Sequence, residues 1–202
     1  MKKHVRLLFP TVLYESEINL SDNDLNSLKS EEFYRNADNN GWATKTDIHK
    51  SYKSLMHEID SHVDFYCKNV LRMSQETTLS CCGSWINKHD IGDFAHNHYH
   101  PNSMISGILY LDIPQKSGDT IFSSHTINMF GRFFNPVFEE ENKYNSCFQS
   151  INVKNNMLLI FPSILQHSVP ISESQKPRYT FAFDYIPTGK IITHTNKITI
   201  TV

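Results

Sequence analysis

Between residues 47 and 73 the apolar positions Ile48, Tyr52, Leu55, Ile59, Val63, Tyr66 and Val70 recur at steps of three and four. That is the period of one face of an α-helix, and it predicts a long amphipathic helix over this stretch. His57 and His62 fall on or beside its polar side and read as solvated surface residues. Upstream, residues 5–18 read as a short strand, a break at Pro10 and a second strand. Ser21 has the character of an N-cap, with Asp22 and Asp24 near the positive end of a helix running to about Asn36. Residues 37–41, Ala-Asp-Asn-Asn-Gly, then read as a turn.

After residue 76 the period changes from helical to strand-like. Eight short β-rich runs follow at 77–86, 103–113, 120–124, 146–153, 157–161, 166–171, 178–186 and 190–202. Turn residues separate them, at Gly92, 114–118, 135–136, 155–156 and 172–177. This spacing predicts a mainly β fold, an antiparallel sandwich or barrel with the N-terminal helices laid over one sheet face. Residues 131–145 form a long insertion carrying Glu139, Glu140 and Glu141. It reads as a solvated loop, with a lid over a binding site as the functional alternative.

Composition narrows the class. The 202 residues suit one domain, residues 1–76 supplying a strand and flanking helices and residues 77–202 the β core. A hydrophobic fraction of 39% with a formal net charge of -2 describes a globular chain. It argues against strong electrostatic attraction to nucleic acid or to anionic lipid. No apolar run approaches the roughly 20 residues that span a bilayer. The apolar run near the N-terminus is too short for a signal peptide. Cys67, Cys81, Cys82 and Cys147 show no CxxC spacing, so a reducing, cytoplasmic setting is expected.

Candidate chemistry concentrates in residues 93–113. His96, His98 and His100 alternate, so in an extended strand they leave the same face. Imidazole is the commonest protein ligand for metals. The plain alternative is a polar strand edge whose histidines do nothing. Far downstream, His167 follows an apolar strand and Pro162. If residues 167–178 form a hairpin centred near Ser172 and Glu173, Arg178 comes to lie opposite His167, with backbones about 5 Å apart. An inward-facing arginine in the strand Arg-Tyr-Thr-Phe-Ala-Phe needs an anion, from a protein carboxylate or from a ligand. Metal ligands from two strands beside such an arginine are what Fe(II) with an α-keto diacid requires.

Several segments in order carry a family resemblance. They are Trp85-Ile86-Asn87, His98-Tyr99-His100-Pro101, Ser106-Gly107-Ile108-Leu109-Tyr110-Leu111, Phe161-Pro162 before His167, and Pro177-Arg178-Tyr179-Thr180-Phe181-Ala182-Phe183. Over about residues 80–186 the chain resembles the 2-oxoglutarate/Fe(II)-dependent oxygenases, in their prolyl-hydroxylase-like branch with its small bacterial and phage relatives. The resemblance implies a double-stranded β-helix, a jelly roll with flanking helices. It implies iron held by His98, His100 and the distal His167. Arg178 then clamps the far carboxylate of 2-oxoglutarate, with Tyr110 bonding the same group and Asn87 and Ser106 lining the cosubstrate pocket. The activity implied is a dioxygenase, a hydroxylase coupling oxidative decarboxylation of 2-oxoglutarate to oxidation of a C–H bond. O2 is the co-reactant, ascorbate an accessory reductant, and the primary substrate a small molecule or a protein residue such as proline. His100 departs from the family's usual carboxylate. Two other ligand sets stay open at this point: His96 with His98, or a distant acid such as Asp93 or Asp112. A cupin-like metal barrel without oxygenase activity and a non-enzymatic jelly-roll module are the alternative functions.

Overall fold

The alternation of the β-rich half builds two facing antiparallel sheets in the computed structural model, which describes residues 3–8, 10–36, 39–124, 137–192 and 197–200. In chain order the elements are β1 (Tyr14–Glu17), α1 (Asp22–Lys29), β2 (Tyr34–Asn36), β3 (Gly41–Ala43) and α2 (Lys53–Phe65). They continue with β4 (Thr78–His89), β5 (Ala95–His98), β6 (Ile105–Asp112), β7 (Thr120–Ser123) and β8 (Phe148–Ile151). The last four are β9 (Met157–Pro162), β10 (Gln166–Val169), β11 (Arg178–Ile192) and β12 (Lys197–Ile200). The larger sheet runs β1-β9-β6-β11-β4-β3-β2, with β12 also on β11, and the smaller runs β5-β10-β7-β8. From β4 to β11 the chain passes back and forth between the two sheets, which is the wrapping of a double-stranded β-helix.

Side chains on the larger sheet divide by parity. Phe181, Phe183 and Tyr185 of β11, Leu109 and Leu111 of β6, and Leu158 and Ile160 of β9 pack with Leu28, Leu55, Ile59 and Val63 from the two helices. The alternate residues Ile108, Tyr110, Leu159 and Phe161 pack with Phe122 of β7 and Leu165, and so fill the space between the sheets. Both faces of β6 are therefore covered, which is why it reads as an unbroken apolar run. Gly107 of β6 faces Phe183 across the ladder. A Cβ there would lie 2.2 Å from the Phe183 ring and 2.8 Å from the Leu159 carbonyl, so the ring needs a glycine beneath it.

Several boundaries differ from expectation. Residues 3–8 and 10–13 form no strand, and the first begins at Tyr14. The Ser21 cap is present, its hydroxyl accepting from the Asp24 N–H at 3.1 Å, but α1 stops at Lys29. Residues 34–36 instead pair with 41–43 as a hairpin. Of the expected turn at 37–41, residues 39 and 40 form a turn, Gly41 already begins β3, and residues 37 and 38 lie outside the described residues. The long helix is divided into a 3-10 turn at Ile48–Lys50, α2, and a π-helical turn at Tyr66–Val70. Tyr52 breaks it with a non-helical backbone, its hydroxyl engaged by Glu31 and Ser27. β11 runs without interruption through residues 187–189. Glu139, Glu140 and Glu141 are exposed, while residues 131–136 of the insertion, on which the lid alternative partly falls, lie outside the described residues. No helix among the described residues is long and apolar enough to cross a membrane.

The Gly107 contact gives a direct test of this packing. Gly107→Ala should push the Phe183 ring out of place and lower stability by about 1–3 kcal/mol, the usual cost of overpacking a core. A denaturant midpoint unchanged from the parent protein would refute the close approach.

Candidate metal centre

Three histidines from two neighbouring strands meet at one mouth of the space between the sheets. His98 ends β5, His100 follows it, and His167 of β10 stands opposite His98 in the ladder. The ring centroids lie 5.4 Å apart for His98 and His100, 4.4 Å for His98 and His167, and 5.2 Å for His100 and His167. Each residue offers one nitrogen, and these nitrogens all lie within 4.8 Å of one another.

Hydrogen bonds behind the rings decide which nitrogen that is. His98 Nδ1 lies 2.7 Å from the His96 carbonyl oxygen, and His167 Nδ1 lies 3.1 Å from that of Leu165. His100 Nδ1 lies 2.7 Å from Asp184 Oδ1. Carbonyl and carboxylate oxygens only accept, so Nδ1 carries a proton in each ring and Nε2 is the atom left to meet a metal. Burial, followed by the neighbouring His98 and His100, pushes the His167 pKa down to about 3, and burial also lowers that of His98. Preoriented imidazoles are the donor set a divalent transition-metal ion takes.

The same pocket is lined by Trp85, Asn87 and His89 of β4, Thr120 of β7, and Arg178, Thr180 and Ala182 of β11. Arg178 is only 3% exposed and its Nε has no hydrogen-bond partner. Among the described residues no carboxylate forms an ion pair with it. Its guanidinium lies 5.5 Å from the centroid of the Tyr110 ring, which supports it by a cation–π contact. A buried guanidinium without a counter-ion is costly, and an anion entering the pocket would relieve it.

The expected site residues are distributed unevenly. His98, His100 and His167 converge, and Asn87 and Arg178 line the pocket beside them. His96 does not join them, being exposed with its ring edge-on against Phe94 at 4.7 Å. Asp93 pairs with Arg35 and Asp112 with Lys29, so neither acid completes the triad. Tyr110 is fully buried, with its hydroxyl 2.7 Å from Thr120 Oγ1. Ser106 stands behind His100, its hydroxyl 2.6 Å from Asp184 Oδ1. The hairpin expected to set His167 opposite Arg178 does not form. Arg178 pairs with His89, and His167 pairs with His98 and Phe122, because β10 and β11 belong to different sheets. Both residues reach the same pocket across the barrel.

His89 and Asp184 escaped the sequence reading. Ending the β4 run at Ile86 left His89 outside the strand, although Trp85, Asn87 and His89 share one parity. Asp184 is in phase with Arg178, Thr180 and Ala182 on β11, and an acid on that otherwise pocket-facing row was the available signal.

Comparison with known proteins follows this geometry. The model of a family described as 2OG-Fe(II) oxygenase matches residues 83–184, half of the chain. A crystal structure of an oxidoreductase of the 2OG-Fe(II) oxygenase family from Burkholderia pseudomallei is similar at TM-score 0.60 and 9% identity, covering 87% of this chain and 84% of that one. HygX from Streptomyces hygroscopicus, solved with nickel, 2-oxoglutarate and hygromycin B, is similar at TM-score 0.57 and 12% identity, covering 88% and 84%. A prolyl-4-hydroxylase from Pseudomonas putida is similar at TM-score 0.53 and 12% identity, covering 87% and 92%. No curated protein matches the sequence.

The buried histidine beside Arg178 has a measurable consequence for stability. Burial first, and then the Arg178 charge, push the His89 pKa down to about 4. In the unfolded chain His89 takes up a proton as pH falls through about 6.5, while in the folded chain it stays neutral until about 4. Folding therefore loses stability as pH drops across that window, by up to about 3 kcal/mol from this group. Urea unfolding of the metal-free protein at pH 7 and pH 5 should show a smaller loss for His89→Gln than for the parent. An equal loss in both would show that His89 is not held neutral.

Proposed function

This chain belongs to the 2OG-Fe(II) oxygenase family, and from that premise we propose that it is an Fe(II)- and 2-oxoglutarate-dependent dioxygenase that hydroxylates its substrate. His98, His100 and His167 would hold the iron through Nε2, and Arg178 would receive the distal carboxylate of 2-oxoglutarate. The fit rests on the chemistry of the donors: three imidazoles with their Nδ1 protons turned outward, and one buried cation in the same pocket that forms no ion pair with a carboxylate among the described residues. That pairing of an unsatisfied guanidinium with convergent lone pairs is the observation that carries the reading.

Bound iron supplies the oxygen-dependent decarboxylation of the keto acid to succinate and CO2 and the oxidation of a substrate C–H bond. The chain's own residues supply position and dryness. His98, His100 and His167 would together give the ion three protein donors. Arg178 offers a fork of N–H donors that meets a carboxylate in one orientation, and the Tyr110 ring limits how far the guanidinium can swing. Asn87, Thr120 and Thr180 place polar groups along the same wall, between apolar surfaces from Ile108, Val169 and Ala182. These surfaces exclude water from the reacting centre. A prolyl residue in a peptide is the first substrate to try, on the resemblance to the prolyl-hydroxylase-like branch.

Two measurements test this reading. Purified protein should bind about one Fe(II) per chain and form succinate from 2-oxoglutarate even without primary substrate. His98→Ala and His167→Ala should lose the metal, and His96→Ala should keep it. Metal binding with no succinate at all would leave a metal barrel without oxygenase activity. Arg178→Ala should raise the 2-oxoglutarate concentration needed by about 100-fold, as the loss of a buried charged pair of about 3 kcal/mol predicts, with iron affinity changed far less. An unchanged cosubstrate requirement would remove Arg178 from the clamp.

A further inference from the structure

His100 occupies the ligand position where a carboxylate is usual, and the structure places a carboxylate directly behind it. Asp184 Oδ1 lies 2.7 Å from His100 Nδ1, and the two side chains are only 13% and 8% exposed. The Ser106 hydroxyl donates to the same oxygen at 2.6 Å and lies 2.8 Å from Ser163 Oγ. The main chain is tied down as well, since the His100 N–H donates to the Ser163 carbonyl at 3.0 Å. The other two rings lean on neutral acceptors, the carbonyls of His96 and Leu165. His100 alone of the three is backed by an anion.

We propose that Asp184 is a positioning residue of the metal centre, holding the Nδ1 proton of His100 and delivering through that ring the negative charge that a carboxylate ligand would otherwise bring. The proposal rests on the reading of His98, His100 and His167 as metal ligands. A carboxylate hydrogen-bonded to the far nitrogen of a ligating imidazole fixes its tautomer and orientation and raises its basicity. Three neutral imidazoles would otherwise leave a divalent ion uncompensated in a partly dry pocket, where charge interactions are strong. Ser106 and Ser163 hold the acid in place, so the anion is fixed relative to the ring.

The test uses full-length protein and Asp184→Asn, which keeps an acceptor oxygen and loses the charge. Titration with Co(II) against a chelating dye should show binding weakened by about 10–100-fold in the variant. The visible charge-transfer band of the anaerobic Fe(II) and 2-oxoglutarate complex should move to shorter wavelength, because a weaker donor leaves the metal poorer in electrons. A variant that folds and matches the parent in both measurements would overturn the role of Asp184 while leaving the ligand assignment intact. A parent protein that holds no stoichiometric metal would instead overturn the ligand assignment, and this proposal with it. The parent alone gives a third measurement that does not depend on the variant folding. In its Zn(II) complex the Nδ1 proton of His100 should resonate further downfield than those of His98 and His167, and three similar shifts would refute the proposal.

Discussion

Arg178, Thr180 and Ala182 leave β11 into the pocket, with Asp184 in the same phase, while Phe181, Phe183 and Tyr185 leave it toward the helices. Because successive side chains in a strand alternate strictly, this one register sets both the core and the site. A slip by one residue would drive two charged groups into the helix layer and two phenylalanines into the pocket. The neighbouring strands obey the same phase: Arg178 faces His89, Thr180 faces Asn87 and Tyr110, and Asp184 faces Ser106. Gly107 beneath the Phe183 ring admits only this alignment, since a side chain there would collide with it. Packing on the helical side thus aims the polar groups on the other.

That phase also separates the charges. Arg178 and Asp184 sit on one strand six residues apart, so their backbones stand about 20 Å from each other at the rise of an extended chain. They cannot neutralise one another. Asp184 is instead committed to His100 and Ser106, and Arg178 has an aromatic ring beside it and, among the described residues, no carboxylate in an ion pair with it. The pocket therefore has a cationic wall that suits a carboxylate and a cluster of lone pairs that suits a metal. The guanidinium and the three imidazoles share one cavity without quenching each other.

Much of this architecture could be read in the chain before any coordinates. The apolar spacing of Leu55, Ile59 and Val63 located α2, and the alternation after residue 76 located most of the strands that carry the site, though none of the eight runs covers β5 (Ala95–His98). Local errors had local causes: Tyr52 broke the long helix through its hydroxyl contacts, and hairpin pairing of residues 34–36 shortened α1. The hairpin misjudgment was different in kind. Placing Arg178 across from His167 assumed that strands adjacent in sequence are adjacent in space. In a jelly roll the chain changes sheets between β10 and β11, and that assumption fails.

The direction in which a side chain leaves its strand is set by the residue's own position, and so the inward phase of Arg178 and the shared phase of His98 and His100 were visible from spacing alone. The identity of what each one meets depends on strands far away in the chain. Neither His89 beside Arg178, nor Tyr110 turning its ring rather than its hydroxyl to that residue, nor Asp184 behind His100 follows from any local pattern. The first two come from the order of strands within the larger sheet, and the third from the two sheets closing on each other, which brings residues 84 positions apart to within a hydrogen bond. Composition and period supplied the donors; strand order within the larger sheet and closure of the barrel assigned each donor its partner.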